Sequence, residues 1–354
     1  MYYITSHGRF FMSDASIKPR VDTFDILHKY HNFKEMGVPL FGNFTDKQIK
    51  DMVANNTHKL TKDDVVFWQY PIYINKPFQL EKEYISSIHK RGAKVIALIH
   101  DVDYLRGWQD SIPEALFFFD GIITPSKNMS EELRSWGIVS PITEMGPYTF
   151  ITKVHKPSYF SKDVYYCGST YSWKTSFLSS IDFNLNVYGS IGKKVNLNNK
   201  VKYLGELGTN ELVSSLTKGY GFIWDEEVSS KTKLKEYLAY NLPYKLSLYI
   251  ASGIPIICKK HTNVGDFVEK QHIGFTVNSM SEIKLQLLNQ TVADYSKYLK
   301  NLEYIYKSVV DGKYLWDGIC NYLKNYRGFV PKDITPPLNV RIAQKDNTIN
   351  ICAD

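Results

Sequence analysis

A chain of 354 residues, 44% hydrophobic and 22% charged, has the composition of a soluble globular protein and the length of two domains of about 150 residues. Its net charge of +7 permits anionic partners, but no arginine-rich tract or basic helix argues for nucleic acid. Four scattered cysteines without a Cys-x-x-Cys or Cys/His cluster argue against a zinc site and a disulfide framework and fit a reducing compartment.

No apolar run reaches the roughly 18 residues of a membrane span, and Met1–Phe11 lacks a basic segment followed by an apolar one. The expectation is a cytoplasmic protein, with peripheral contact to the inner face of an acidic membrane and self-association both left open. Twenty-six tyrosines stand out. Tyrosine suits sites where one end of a side chain packs and the other meets polar groups.

In the first half, strand-like and helix-like segments alternate. Tyr2–Thr5 reads as a strand, Pro19–Tyr30 and Thr45–Ala54 as helices, and Val65–Gln69 as a strand. Leu80–Arg91 is helical and stopped by Gly92; Lys94–Ile99 is the clearest strand of this half. Gly121–Thr124 is another, followed by a helix capped by Ser126 and ended by Gly137. Periodicity is lost from Met145 to Ser161, where Gly146, Pro147 and Pro157 mark a linker.

The second half is more regular. Strands are predicted at Val164–Cys167, Leu185–Tyr188, Val201–Leu204, Gly221–Trp224, Pro255–Cys258 and Gly274–Val277. Helices are predicted at Trp173–Ser180, Glu211–Lys218, Tyr244–Ser252, Val264–Lys270 and Ser281–Leu288, then at Val292–Val309 and Tyr314–Asn325. This alternation predicts a parallel sheet with helices on both faces. From about Gly328 the chain carries three prolines and then polar residues, the composition of a surface-crossing or partly disordered tail.

The stretch Asn241–Cys258 is the most informative. Pro243 suits a helix start, Leu246, Tyr249 and Ile250 make one apolar face, Gly253 suits a left-handed helix end, and Ile254–Cys258 is a buried strand. The free N–H groups of such a helix start form an anion site, and a lysine there, Lys245, opposes the helix dipole unless an anion is held. The plainer alternative is a surface lysine on an ordinary βα unit. No strand leads into G-x-G-x-x-G, and Gly189-Ser-Ile-Gly-Lys-Lys194 lacks the spacing of a phosphate loop.

Ligands of open α/β sheets sit at the carboxyl ends of the strands. The segments that would meet there follow a specific order. They are Tyr165-Tyr-Cys-Gly-Ser169 with Lys174, Leu185–Gly189, Val201–Glu206, Gly221-Phe-Ile-Trp-Asp225, Pro243–Tyr249 with Ala251–Ile256, and Asp266–Glu269 with Ile273-Gly274. This succession resembles the nucleotide-sugar half of GT-B glycosyltransferases. Gln69-Tyr-Pro71, Lys94–Asp101 and Asp103-Tyr-Leu-Arg106 narrow the resemblance to a bacterial subgroup. It holds the glucosyltransferases that extend glycans on serine-rich-repeat adhesins and the β-1,6-galactofuranosyltransferases. The resemblance spans about residues 1–325.

It implies an α/β fold of two Rossmann-like domains facing an interdomain cleft (GT-B). Residues 1–150 would take the acceptor, residues 151–327 the nucleotide sugar, and 328–354 would be a tail. It implies inverting transfer from a UDP-sugar, as co-substrate, to a saccharide or glycoprotein acceptor, with no metal or other cofactor. Lys245 matches the family's lysine on the donor diphosphate, and Lys174 falls where the family has a basic residue near the phosphates. Tyr244 and Ser169 are grouped with them. Glu206 departs from the tyrosine some members carry there, and Asp266 is placed to hold the ribose hydroxyls. Ser16, Lys18 and Arg20 of the N-terminal loop, with Asp103 and Arg106, are assigned to the acceptor.

Fixed cations and helix N–H groups would stabilise the charge of a leaving UDP. His100-Asp101-Val-Asp103 ends the strongest N-terminal strand, where a carboxylate can deprotonate an acceptor hydroxyl. Asp101 is the first choice for that base; His100 could serve instead, or could orient Asp101. Asp101-x-Asp103 also matches a two-aspartate metal-diphosphate pattern. His28 and His31 share a helix face without a third ligand. A non-catalytic partner subunit of another transferase and a UDP-sugar epimerase are the alternatives.

Overall fold

Val65–Tyr70 is buried at every position, the pattern of a strand covered on both faces. It lies inside the first of two parallel sheets. The computed structural model describes residues 1–7, 17–154, 158–172, 174–193, 195–225, 234–325, 341–345 and 348–352. The chain forms two units: Met1–Tyr104 with Gln109–Gly146 and Tyr314–Leu338, and Leu105–Trp108 with Pro147–Lys313 and Asn339–Asp354.

The first unit runs β1 (Tyr2–Ser6), α1 (Lys18–Asp25), β2 (Lys34–Gly37), β3 (Phe41–Gly42), α2 (Asp46–Thr57), β4 (Val65–Tyr70), β5 (Tyr73–Ile74), α3 (Pro77–Lys90), β6 (Lys94–Ile99), β7 (Gly121–Thr124), α4 (Lys127–Ser135) and β8 (Ile142–Glu144). Its six-stranded sheet has the order β2-β1-β4-β6-β7-β8 with every neighbour parallel, while β3 and β5 pair separately. The helices start where side chains satisfy their free N–H groups. Thr45 and Gln48 form a capping box for α2, and Ser126 caps α4.

The second unit runs β9 (Tyr159–Cys167), β10 (Leu185–Tyr188), β11 (Val201–Gly205), α5 (Thr209–Ser215), β12 (Lys218–Ile223), α6 (Leu234–Tyr237), α7 (Tyr244–Ala251), β13 (Ile256–Lys259), α8 (Asn263–Gln271), β14 (Gly274–Val277), α9 (Ile283–Asn289) and α10 (Val292–Val310). Its sheet has the order β11-β10-β9-β12-β13-β14, again parallel throughout. Strand order reverses between β1 and β4 in one sheet and between β9 and β12 in the other. These are the topological switch points where open α/β sheets bind ligands.

Several expected boundaries move. The helix expected over Pro19–Tyr30 is α-helical only to Asp25 and finishes as a π turn, Ile26–Tyr30. His31 and Phe33 N–H both donate to the Leu27 carbonyl there. Trp173–Ser180 was expected as a helix; Trp173 lies outside the described residues, and the rest holds a 3-10 turn at Ser176–Ser179. The edge strand β2 reads as loop in sequence because only Met36 is buried in it.

The helix α11 (Lys313–Asn325) was expected within the C-terminal domain, but from Tyr314 onward it belongs to the first unit. Trp316 stacks on His31 at 3.5 Å between centroids, and the Tyr322 hydroxyl donates to the Asp120 carbonyl at 3.0 Å. His28 Nδ1 meets the Phe33 carbonyl at 2.8 Å, so both histidines of the shared face have packing or backbone partners. In the expected tail, Arg341–Lys345 and Thr348–Cys352 form an antiparallel pair. Among the described residues no helix is long and apolar enough to cross a membrane.

Candidate functional site

The site in the second unit begins with how α7 is fixed. Pro243 is the N-cap of α7, one position earlier than expected, and Gly253 takes φ +68° beyond its end. Leu246, Tyr249 and Ile250 are fully buried, as their spacing predicts. The last register pair between β12 and β9 is Gly221↔Tyr165. Beyond it the Tyr249 hydroxyl enters between the strands. It accepts from Cys167 N–H at 3.0 Å and faces the carbonyls of Tyr165 and Phe222 at 3.0 and 3.2 Å. Burial holds that hydroxyl far above its ordinary pKa, so it remains a donor.

Lys245 precedes Tyr249 by one helical turn and shares its face. Its Nζ lies 4.0 Å from the centroid of the Tyr166 ring and 3.7 Å from Asp225 Oδ1. Lys174, from the loop after β9, reaches the same oxygen at 3.6 Å. The three side chains are 14%, 21% and 12% exposed for Lys245, Lys174 and Asp225, so two partly desolvated cations share one carboxylate. Asp225 Oδ1 and Tyr166 Oη are buried, and neither has a hydrogen-bond partner among the described residues. Both ion-pair separations exceed normal hydrogen-bond length.

The loops after β9 and β10 are zipped together beside these cations. Gly168 N–H donates to Tyr188 O at 2.8 Å, Thr170 N–H to Ser190 O at 2.9 Å, and Ser190 Oγ to Ser169 Oγ at 2.8 Å. A Cβ on Gly189 would lie 2.5 Å from the Gly168 carbonyl oxygen, so the approach requires glycine. Gly189–Lys193 is thus a strand-to-loop crossing; Lys194 lies outside the described residues.

Tyr244 opens α7 and stacks on Phe150 at 5.1 Å. Glu206 is exposed just past β11, and Asp266 is exposed in the first turn of α8. Among the described residues neither is joined to the lysines by an ion pair. Sequence reasoning proposed both lysines but missed Asp225, their common partner.

The switch point of the first unit is built differently. The β1–β4 register ends at Ile4↔Phe67. Past it, Gln69 N–H donates to Thr5 Oγ1 at 2.8 Å and Gln69 Nε2 to the Thr5 carbonyl at 2.7 Å. That fixes the amide orientation, so Gln69 Oε1 faces His100 Nε2 at 2.9 Å and His100 must carry its proton there. Burial, with Arg20 and His7 nearby, holds His100 well below its ordinary pKa; the ring is neutral, and Nδ1 is buried too. His100 is therefore a buried neutral ring held by Gln69, whereas Asp101 beside it is partly exposed.

Arg20 and Lys18 differ from the expectation of acceptor contacts. Arg20 is 2% exposed and donates to the carbonyls of Gln69 and Pro71 at 3.1 and 2.7 Å. Lys18 is 5% exposed and paired with Asp22 at 2.7 Å. A buried cation needs internal partners, and these have them. Asp103 is buried as well. Arg106 belongs to the second unit and stacks over Trp108 at 3.6 Å. Ser16 lies outside the described residues.

Comparison with known proteins also divides the chain in two. Residues 1–147 match the model of the glucosyltransferase 3-like N-terminal domain, and residues 164–320 that of the glucosyltransferase 3-like C-terminal domain. The chain is 26% identical over 330 residues to the β-1,6-galactofuranosyltransferase WbbI of Escherichia coli, covering 90% of this chain and 96% of that one. It is 25% identical to glucosyltransferase 3 of Streptococcus gordonii, covering 78% and 84%. The crystal structure of Anabaena HepE in complex with UDP superposes with a TM-score of 0.60 at 10% identity, over 92% of this chain and 99% of that one. The fold is the expected pair of Rossmann-like domains.

Proposed function

The chain belongs to the glucosyltransferase 3-like family of glycosyltransferases, and from that premise we propose that it transfers a hexose from a UDP-sugar to a saccharide or glycoprotein acceptor, inverting the anomeric centre without a metal. The observation that carries this is the convergence of Lys174 and Lys245 on one carboxylate at the switch point of the second sheet. Cations at that place can hold a diphosphate and stabilise the charge that develops on UDP as the bond to the sugar breaks. Related proteins named for glucose and galactofuranose transfer, and a similar fold solved with UDP, support a UDP-hexose donor.

Asp101 is the proposed base. It takes the proton of the acceptor hydroxyl, whose oxygen attacks the anomeric carbon from the face opposite UDP. His100, neutral and fixed by Gln69, orients that segment. The test is consumption of a panel of UDP-sugars with saccharide acceptors, in buffer containing a chelator. Wild-type protein should release UDP, Lys245→Ala should lower transfer by about 10²–10³-fold, and Asp101→Asn should lose turnover while retaining UDP affinity. Full turnover by Lys245→Ala would show that the donor site lies elsewhere.

A further inference from the structure

The carboxylate between the two lysines has no obvious place in a site for phosphate. Lys174 and Lys245 contribute two positive charges; Asp225 removes one of them and would repel a diphosphate held by the same lysines. Its Oδ1 lies 3.6 and 3.7 Å from the two ammonium groups and is buried with no hydrogen-bond partner among the described residues. It therefore neutralises the lysines without engaging them tightly.

Donor and product differ in charge. The terminal phosphate of UDP carries a second negative charge with a pKa near 6, whereas in a UDP-sugar that oxygen is esterified. A fixed carboxylate beside the diphosphate therefore penalises the product more than the donor. Resting on the assignment of Lys174 and Lys245 to the donor diphosphate, we propose that Asp225 is a specificity residue that favours UDP-sugar over UDP and speeds product release. With the site empty it serves as the counter-ion that keeps both lysines in place.

The test compares binding of UDP and of UDP methylated on its terminal phosphate, which has the donor's charge without a sugar. Calorimetric titration would use the full chain as wild type, Asp225→Asn and Asp225→Glu at pH 8 and pH 6. Asp225→Asn should tighten UDP by about tenfold and the methyl ester by about threefold or less. The excess should shrink at pH 6, where the terminal phosphate of UDP gains a proton, and Asp225→Glu should keep the wild-type ratio. Weakening of both ligands alike in Asp225→Asn, or an unchanged ratio, would overturn the proposal. A wild type that binds neither ligand would overturn the donor-site assignment itself, an outcome distinct from either.

Discussion

At the switch point of the first sheet the parted strands are bridged by an amide, Gln69; at that of the second they are bridged by a hydroxyl, Tyr249. What surrounds each bridge differs. Gln69 sits in a buried network with His7, Arg20 and His100, in which both rings are held neutral. Tyr249 lies one helical turn from a lysine that meets a second lysine at a shared carboxylate. The same topology thus supports two kinds of site. One ties a polar segment together through hydrogen bonds among buried groups; the other gathers two cations on a single carboxylate.

The largest test of that contrast is charge removal. Lys245→Ala should lower turnover by about 10²–10³-fold, the range for losing one donor to a developing negative charge. Gln69→Leu in the other unit should leave UDP affinity within about twofold while lowering turnover, because it frees His100 rather than the phosphates. Steady-state kinetics with calorimetric UDP binding would read both. A Gln69 variant that loses UDP affinity as steeply as Lys245→Ala would break the division of labour.

Acid should distinguish the units next. Burial lowers the pKa of His7 to about 3 and of His31 to about 4, and burial, with the Arg20 charge nearby, holds His100 well below its ordinary value; all three lie in the first unit. The unfolded chain binds protons on them near pH 6.5 and the folded chain resists, so stability present above pH 6.5 is lost as pH falls below it. Glu81, whose pKa burial pushes up to about 8, acts oppositely: its contribution grows as pH falls from 8 toward 4.5 and offsets about one histidine. The net expectation is a loss of roughly 2 kcal/mol in the first unit between pH 7 and 5, discounted for the partial exposure of His7 and His31. Hydrogen exchange resolved by segment should show the first unit opening before the second. Equal protection of both at pH 5 would contradict it.

The alternation of strands and helices was legible because parallel strands buried on both faces read as apolar runs, as in Lys94–Ile99 and Ile254–Cys258. The place of Lys245 in the first turn of a helix was legible from Pro243 and the apolar spacing that follows, while its assignment to a diphosphate came from the resemblance. Asp225 was not, since its closeness to Lys174 and Lys245 arises only when β9, β12 and α7 meet at the switch point. Lys18 and Arg20 were assigned to the acceptor by resemblance, and their burial was not legible because such residues are rarely buried, although Asp22 four residues after Lys18 already offered the partner it takes. Tyr249 counted as one more apolar residue of a helix face, and nothing in its spacing tells that its hydroxyl replaces the ladder bonds lost where β9 and β12 part.

The hydroxyl gives the smallest and most local prediction. Tyr249→Phe keeps the ring that packs over Gly221 and removes one oxygen. The Cys167 N–H then loses its acceptor in a fully buried place, and the Tyr165 and Phe222 carbonyls lose a donor. An unsatisfied buried donor makes the substitution cost between about 1 and 2 kcal/mol, measurable as a lower denaturation midpoint at unchanged denaturant sensitivity. Because the hydroxyl also anchors the helix turn that carries Lys245, UDP affinity should fall by a few-fold, far less than in Lys245→Ala. An unchanged midpoint would mean that β9 and β12 close on each other when the wedge is removed. In that case the opening of the second sheet would be imposed by the tyrosine, whereas a loss of stability means that the strands part on their own and the hydroxyl only satisfies them.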